Sequence, residues 1–240
     1  MRMHRFYSDS IDGPAIELAG TEAHHLAVLR LGAGDKVELF DGLGGLAEAV
    51  ISGIRKNKIT LQVEDVRRIE PRKSRRIIIA FSVPKGERFD WLIEKCTELG
   101  VERISPVIFE RTVRQPGNPK ALDRWVNLAI SAAKQCGRLF LPQIDSPMNF
   151  QDCLESIKRD SPNCRLLAGG VSGDCELLAG QSFGENDVAA FVGPEGGITE
   201  NEEALLKNRG VGFVRLSDTI LRTETAAIAF ASVLTAQREV

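Results

Sequence analysis

The chain has 240 residues, a 43% hydrophobic fraction, 27% charged residues and a net charge of −2. That balance excludes a disordered polyelectrolyte and a uniformly basic nucleic-acid binder, and no apolar run is long enough to span a bilayer. The stretch MRMHRFYSDSIDGP lacks the apolar centre of a secretory signal, so a cytoplasmic location is expected. Five cysteines, Cys96, Cys136, Cys153, Cys164 and Cys175, are odd in number and form no CxxC pair. They read as reduced thiols rather than a zinc site or a disulfide framework.

Residues 1 to about 70 predict a small β-rich domain. Strands are expected at KVELF (36–40), LAEAVISGI (46–54) and KITLQVEDV (58–66), with turns at DGLGG (41–45) and RKN (55–57). One helix is expected at TEAHHLAVLRL, starting from an N-cap at Thr21. The segment VRRIEPRKSRRIII gathers Arg67, Arg68, Arg72, Lys73, Arg75 and Arg76 around Pro71, the expected domain boundary. It is either a solvated linker or a phosphate-contacting surface.

Beyond Pro71 the pattern changes to strands alternating with helices. RIIIAFSV (76–83) is a continuous apolar run, as in a strand buried on both faces. A helix follows with Phe89, Leu92, Ile93, Cys96 and Leu99 on one stripe, then a strand at 104–109 and a helix carrying Trp125, Leu128, Ala129 and Ala132. Strands at 164–168, 187–192 and 212–216 come next, with helices from Thr199 and from about Thr223. The expected fold class is α/β with a mostly parallel sheet and helices on both faces, in which ligands bind beyond the carboxyl ends of the strands.

Three loops compete as ligand sites. GLGGLA (42–47) has the letters of a dinucleotide fingerprint, but a strand follows it where a helix is required, so a hairpin turn is the better reading. FVGPEGGITENEE (191–203) sits between a strand and a helix, and Thr199 with Glu202 forms a capping box. Its glycines expose amide groups and admit a ligand close to the main chain; no Gly-Lys-Ser/Thr is present, so it is not a P-loop. LRTETAA (221–227) delivers Arg222, Thr223, Glu224 and Thr225 into the first turn of an Ala-rich helix. Glu224 there suits the helix dipole, and the same cluster can also bind a ligand. His24 and His25 are adjacent and diverge on a helix, so a metal site is not expected. Cys136 in KQCGR reads as a buried packing thiol rather than a nucleophile.

FVGPEGG followed by LRTETA resembles the RsmE family of 16S rRNA uracil-N3 methyltransferases, of the SPOUT class with a trefoil-knotted carboxyl-terminal domain. HRFY (4–7), HHLAVLR (24–30), LFDG (39–42), IEKCTELGV (93–101) and KQCGR (134–138) extend the resemblance over the whole chain. The chain departs from the family at Ala168-Gly169-Gly170, where His-Pro is frequent, and at Ser217-Asp218-Thr219-Ile220, where Gly-Pro-Arg-Val is commoner. The resemblance implies a PUA-like RNA-binding β-barrel at 1–70 and a SPOUT methyltransferase domain at 71–240. It implies S-adenosylmethionine as cofactor, 16S rRNA or the small ribosomal subunit as partner, a homodimer and no metal.

The cofactor residues it implies are Leu167, Ala168 and Gly169; Val192, Gly193, Pro194, Glu195, Gly196 and Gly197; and Leu216, Ile220, Leu221, Arg222, Thr223, Thr225 and Ala226. Arg222 would stabilise charge on a uracil oxygen, and Glu224 or Glu195 would accept the N3 proton. Arg5, His24, His25, Arg30, Arg72, Arg75, Arg76 and Arg138 would grip RNA. Two other readings stay open: an RNA-binding ribosome-assembly factor without chemistry, and a nucleotide-dependent α/β enzyme.

Overall fold

A computed structural model describes residues 3–56, 58–84, 88–113, 121–170 and 175–238. The chain divides into two units, Met1–Arg72 with Ala133–Leu141, and Lys73–Ala132 with Pro142–Val240. The segment 133–141 therefore clusters with the amino-terminal unit, an assignment that no local pattern in KQCGR announces.

In the first unit, β1 (Arg5–Tyr7), β2 (Ala15–Ala19), β3 (Lys36–Phe40), β4 (Gly45–Arg55) and β5 (Lys58–Arg68) form a sheet of order β1-β3-β4-β5-β2. All neighbours are antiparallel except β1 and β3. Along β4, Ala47, Ala49 and Ile51 are buried while Leu46, Glu48 and Val50 are half-exposed, the period of two that one covered face imposes. The inward residues join Phe6, Leu39, Leu61 and Leu26 in one apolar core. Leu26 comes from helix α1 (Gly20–Val28), whose N-cap is Ala19 and not Thr21, with no capping side chain. Thr21 lies inside the helix because the strand β2 runs straight into it at Gly20. The 41–45 loop is a hairpin turn: Asp41 Oδ1 accepts from the amides of Leu43 and Gly45, both at 2.8 Å.

The second unit is built on a parallel sheet of order β11-β13-β10-β12-β6-β7-β8, with β9 also paired to β7. Its strands are β6 (Ile77–Ser82), β7 (Arg103–Ile108), β8 (Gln143–Ile144), β9 (Met148–Asn149), β10 (Arg165–Gly169), β11 (Glu176–Leu177), β12 (Val188–Val192) and β13 (Gly212–Arg215). Its helices are α2 (Arg88–Glu98), α3 (Ala121–Cys136, which runs on into the first unit), α4 (Phe150–Asp160), α5 (Glu200–Asn208) and α6 (Thr223–Ala236).

Every residue of β6 and β12 is buried. Ile78, Ala80, Ala189 and Phe191 pack on Phe150, Cys153, Leu154 and Ile157 of α4 and Leu206 of α5. α6 covers the other face over β6 and β12 and packs on α2. The Ala-rich composition of α6 is thus used within the chain, with Ala226, Ala227 and Ala231 buried. Helix α4 is not among the expected elements, although Phe150, Cys153, Leu154 and Ile157 recur at helical spacing behind an Asn149 cap.

Candidate active site

The carboxyl ends of β10, β12 and β13 open into one pocket of about 1070 Å³. Small-molecule sites span roughly 300–1,000 Å³, so there is room for a large cofactor. Gly169 lies at the end of β10 and Val192 at the end of β12, Gly193, Pro194, Glu195 and Gly197 follow β12, and Leu216, Ile220 and Leu221 follow β13. Thr223 and Ala226 line it from the start of α6. The two glycine-rich and Thr-rich loops are tied directly: Thr223 Oγ1 donates to Gly193 O at 3.0 Å.

The first loop is braced from both sides. Its exit is fixed by the Thr199–Glu202 capping box, in which Thr199 N donates to Glu202 Oε2 at 2.9 Å. Glu202 Oε1 then accepts from Glu110 N at 2.9 Å, so the loop after β7 is held as well. Arg111 Nη1 donates to Gly196 O at 2.9 Å. Gly197 turns with φ +75°, a left-handed conformation that glycine adopts without strain. A methyl group on Gly193 would come within 2.6 Å of Ile198 Cγ1, so bare backbone is required there.

The remaining cofactor candidates do not line this pocket. Leu167 and Ala168 are buried inside β10, where their side chains pack into the sheet's own layers. Gly196 faces Arg111, and a Cβ there would lie 3.4 Å from Arg111 Cβ. Arg222 and Thr225 point instead into a second, open recess of about 610 Å³, which they line together with Arg88, Trp91 and Glu224.

Arg88 connects the two carboxylates singled out as proton acceptors. Its Nη1 lies 2.9 Å from Glu195 Oε1 and 3.6 Å from Glu224 Oε1. Glu195 is half-exposed, whereas Glu224 is buried and its Oε2 has no hydrogen-bond partner. Sequence reasoning missed Arg88, which stands 107 residues from Glu195. It also missed Arg111 and Trp91; an aromatic left 45% exposed on a helix is visible only in the fold.

The basic residues have unequal settings. Arg72 and Arg30 are exposed. Arg5 is bonded through Nε and Nη2 to Glu38 Oε2 at 3.0 and 2.9 Å. His24 is exposed, while His25 packs its ring 5.4 Å from Phe6, and burial, reinforced by Lys134, pushes its pKa down. Arg138 is half-buried. Arg76 bonds Asp187 through its amide and its Nε, at 2.7 and 2.9 Å.

Arg75 corrects the picture of one exposed arginine patch. It is buried, donates to Gly184 O at 3.0 Å and Leu234 O at 3.4 Å, and lies over the Phe183 ring. A guanidinium committed to carbonyls beneath the surface is not available to phosphates. No group of three or more His, Cys, Asp or Glu among the described residues could hold a metal, and no described helix is long and apolar enough to cross a membrane.

An RNA methyltransferase domain model matches residues 71–235, and an RNA methyltransferase PUA domain model matches residues 18–64. The ribosomal RNA small subunit methyltransferase E of Bacillus subtilis is 30% identical over 239 residues, covering 95% of this chain and 92% of its own. The crystal structure of the Neisseria gonorrhoeae ribosomal RNA small subunit methyltransferase E bound to S-adenosyl methionine superposes with a TM-score of 0.87 at 30% identity, covering 99% of both chains. A methyltransferase from Legionella pneumophila in complex with the cofactor SAM superposes with a TM-score of 0.90 at 29% identity, covering 100% of both. The α/β unit with its braced pocket and the β-rich unit before it are therefore those of an RNA methyltransferase, and the chain belongs to the family of the ribosomal RNA small subunit methyltransferases E.

Proposed function

We propose that the protein transfers a methyl group from S-adenosylmethionine to N3 of a uridine in small-subunit rRNA. The observation that carries this is the meeting of three strand ends in one pocket, with the two signature loops tied by Thr223 and Gly193. When bound, the cofactor supplies an electrophilic methyl group on a sulfonium. The chain's part is to present main-chain groups of 193–197 and 216–221 to it, to exclude water and to align the acceptor. Arg222 is the proposed donor to a uracil oxygen, and one carboxylate, Glu224 or Glu195, is the proposed acceptor of the N3 proton.

Residues 1–70 are proposed as the RNA-binding domain and 71–240 as the methyltransferase domain. The carboxyl-terminal unit is proposed to carry the SPOUT trefoil knot. Support comes from β12 lying between β6 and β10, and from Thr223, the first residue of α6, reaching back to Gly193. A cytoplasmic homodimer is the proposed assembly. Half-buried Ile228, Ala229 and Val233 on the outer side of α6 are the surface that supports it.

The test is direct. S-adenosylmethionine should bind in calorimetry and raise the melting temperature, while ATP and NAD should not. Methylation of naked small-subunit rRNA and of assembled subunits from a strain lacking the modification, with the product mapped by mass spectrometry, should place one methyl on uridine N3. Binding without transfer would leave an assembly factor instead.

A further inference from the structure

The turn of the cofactor loop is closed by Gly197 N, which donates to Pro194 O at 2.8 Å across Glu195 and Gly196. Glycine loses more conformational freedom on ordering than any other residue, so a Gly-Gly peptide keeps one orientation only where outside groups hold it. Arg111 is such a group. Its Nη1 donates to Gly196 O, and its stem lies along the glycine, where a Cβ would meet Arg111 Cβ at 3.4 Å and Cδ at 3.5 Å. The 196–197 peptide is thereby bonded at both ends, its carbonyl to Arg111 and its N–H to Pro194.

Neither Arg111 nor Glu202 lines the pocket. Resting on the reading above, we infer that both are positioning residues for the cofactor, which pre-set the loop that receives it, and that residues 109–112 after β7 order together with that loop.

Glu202 carries the second half of the argument. A capping box works with Glu or Gln, because it asks for one side-chain acceptor. Glu202 is 7% exposed and uses two acceptors: Oε2 takes the amide of Thr199 and Oε1 the amide of Glu110. A buried carboxylate, costly to desolvate, is thus matched to two amide donors. The Glu110 bond spans 92 residues of sequence and serves no helix end. It is backed by Thr112, whose Oγ1 accepts from Phe109 N at 2.8 Å and shares a hydrogen bond of 3.0 Å with Ser82 at the end of β6. The cofactor loop is therefore anchored to the ends of two neighbouring strands, β6 and β7, through one buried and one surface side chain.

The consequence is preorganisation. A loop already held in its binding arrangement costs less to order when the ligand arrives. Linkage is reciprocal, so a ligand that settles 193–197 also quiets 109–112, because Glu202 and Arg111 hold both.

The test measures S-adenosylmethionine affinity by calorimetry, single-turnover transfer to unmodified small-subunit rRNA at saturating cofactor, and amide hydrogen exchange with and without cofactor. Arg111→Ala should weaken cofactor binding about tenfold and leave the saturated rate within about threefold. Arg111→Lys, which keeps a donor for Gly196 O, should recover most of the affinity. Glu202→Gln keeps one acceptor for two amides. In the wild type, cofactor should slow exchange in peptides covering 103–113 as well as 193–203; in Glu202→Gln it should do so only in 193–203. Asn149→Ala, which removes the cap of α4, is the stability control: its melting temperature should fall and its cofactor affinity should not change.

Wild-type affinity in Arg111→Ala would overturn the inference, as would an equal loss of affinity in Asn149→Ala. Undiminished protection of 103–113 in Glu202→Gln would overturn the part assigned to Glu202. Arg111 is exposed, so its variants decide the question even where Glu202→Gln fails to fold. A wild-type protein that does not bind S-adenosylmethionine would sink the functional reading and this inference together. A wild type that binds it with an indifferent Arg111 sinks this inference alone.

Discussion

Arg88 Nη1 stands 3.6 Å from Oε1 of Glu224, a buried carboxylate, while bonding the half-exposed Glu195 at 2.9 Å. The shorter contact is the weaker claim to function. An ion pair whose partners are 42% and 50% exposed contributes at most about 1 kcal/mol, and Glu195 can be solvated without it. Glu224 has no such substitute. Glu195→Gln should therefore leave single-turnover transfer within about threefold of wild type. Arg88→Ala should lower kcat by at least about tenfold with little change in cofactor affinity, and Arg88→Lys should restore much of it. If Glu195→Gln is the damaging change, the roles of the two carboxylates are reversed.

The thiols report on the pocket independently of activity. Burial first of all pushes Cys153 and Cys164 up to about 12, so both should stay unreactive in the native protein. Cys136 is exposed, not the buried packing thiol that its sequence context suggests, and should be alkylated first. Cys175 is intermediate and lines the pocket, where a Cβ on Gly170 would approach its Sγ to 2.6 Å. Saturating S-adenosylmethionine should slow iodoacetamide labelling of Cys175 at least about tenfold and leave Cys136 unchanged, as read by peptide mass spectrometry. Equal protection of both, or of neither, would place the cofactor elsewhere.

The elements were legible wherever burial repeats with a local period. KVELF is β3, and the apolar run 76–83 contains β6 with both faces covered. Thr199 caps α5 as its spacing with Glu202 requires, because that bond closes within one turn. What local pattern could not carry is anything fixed by distant partners. Arg75 owes its burial to carbonyls 109 and 159 residues away, so among six basic neighbours it looked like one more surface charge. Leu167 and Ala168 precede Gly169 by two residues and one, and are buried within the paired length of β10, whereas Gly169 at its end lines the pocket. The strands β8, β9 and β11 are two residues each, too short for alternation to show.

Acid stability should carry the signature of Asp187. Burial alone would push its carboxyl up. Hydrogen bonds from Ser161 Oγ, the Arg76 amide and the Arg76 guanidinium outweigh it and hold the carboxyl below its usual 3.8. A depressed native value contributes stability in full above the unfolded value near 3.9, and loses it as pH falls through the native one. Denaturant midpoints should therefore decline as pH drops below about 4, and Asp187→Asn should flatten that decline while lowering stability at pH 7. An unchanged slope would mean that other carboxylates govern the acid limb.

Arg72 and Arg75 separate RNA contact from architecture. Arg72 is exposed, and if it meets a phosphate, Arg72→Glu should weaken rRNA binding and reduce the magnitude of the logarithmic salt slope by about 1. Cofactor affinity should be unaffected. Arg75→Ala strips two carbonyls of their buried donor and should cost about 2–4 kcal/mol of stability in chemical denaturation. A stable Arg75→Ala with a reduced salt slope would return Arg75 to the RNA surface.

Arg222 sits at the N-cap of α6, where the helix dipole disfavours a cation. It is exposed, has no ion pair to Glu224 and lines the recess with Trp91 rather than the pocket beyond the strand ends. That position argues against a salt bridge to the cofactor's carboxylate and for a charge developing on the acceptor ring. Arg222→Ala should then lower kcat by about 10²–10³-fold, the usual loss for one oxyanion donor, with S-adenosylmethionine affinity within about twofold of wild type. Single-turnover transfer measured across a cofactor titration reads both quantities at once. If affinity collapses and the saturated rate survives, Arg222 grips the cofactor after all. If neither moves, its guanidinium is a surface group and the donor facing the ring oxygen must be Arg88.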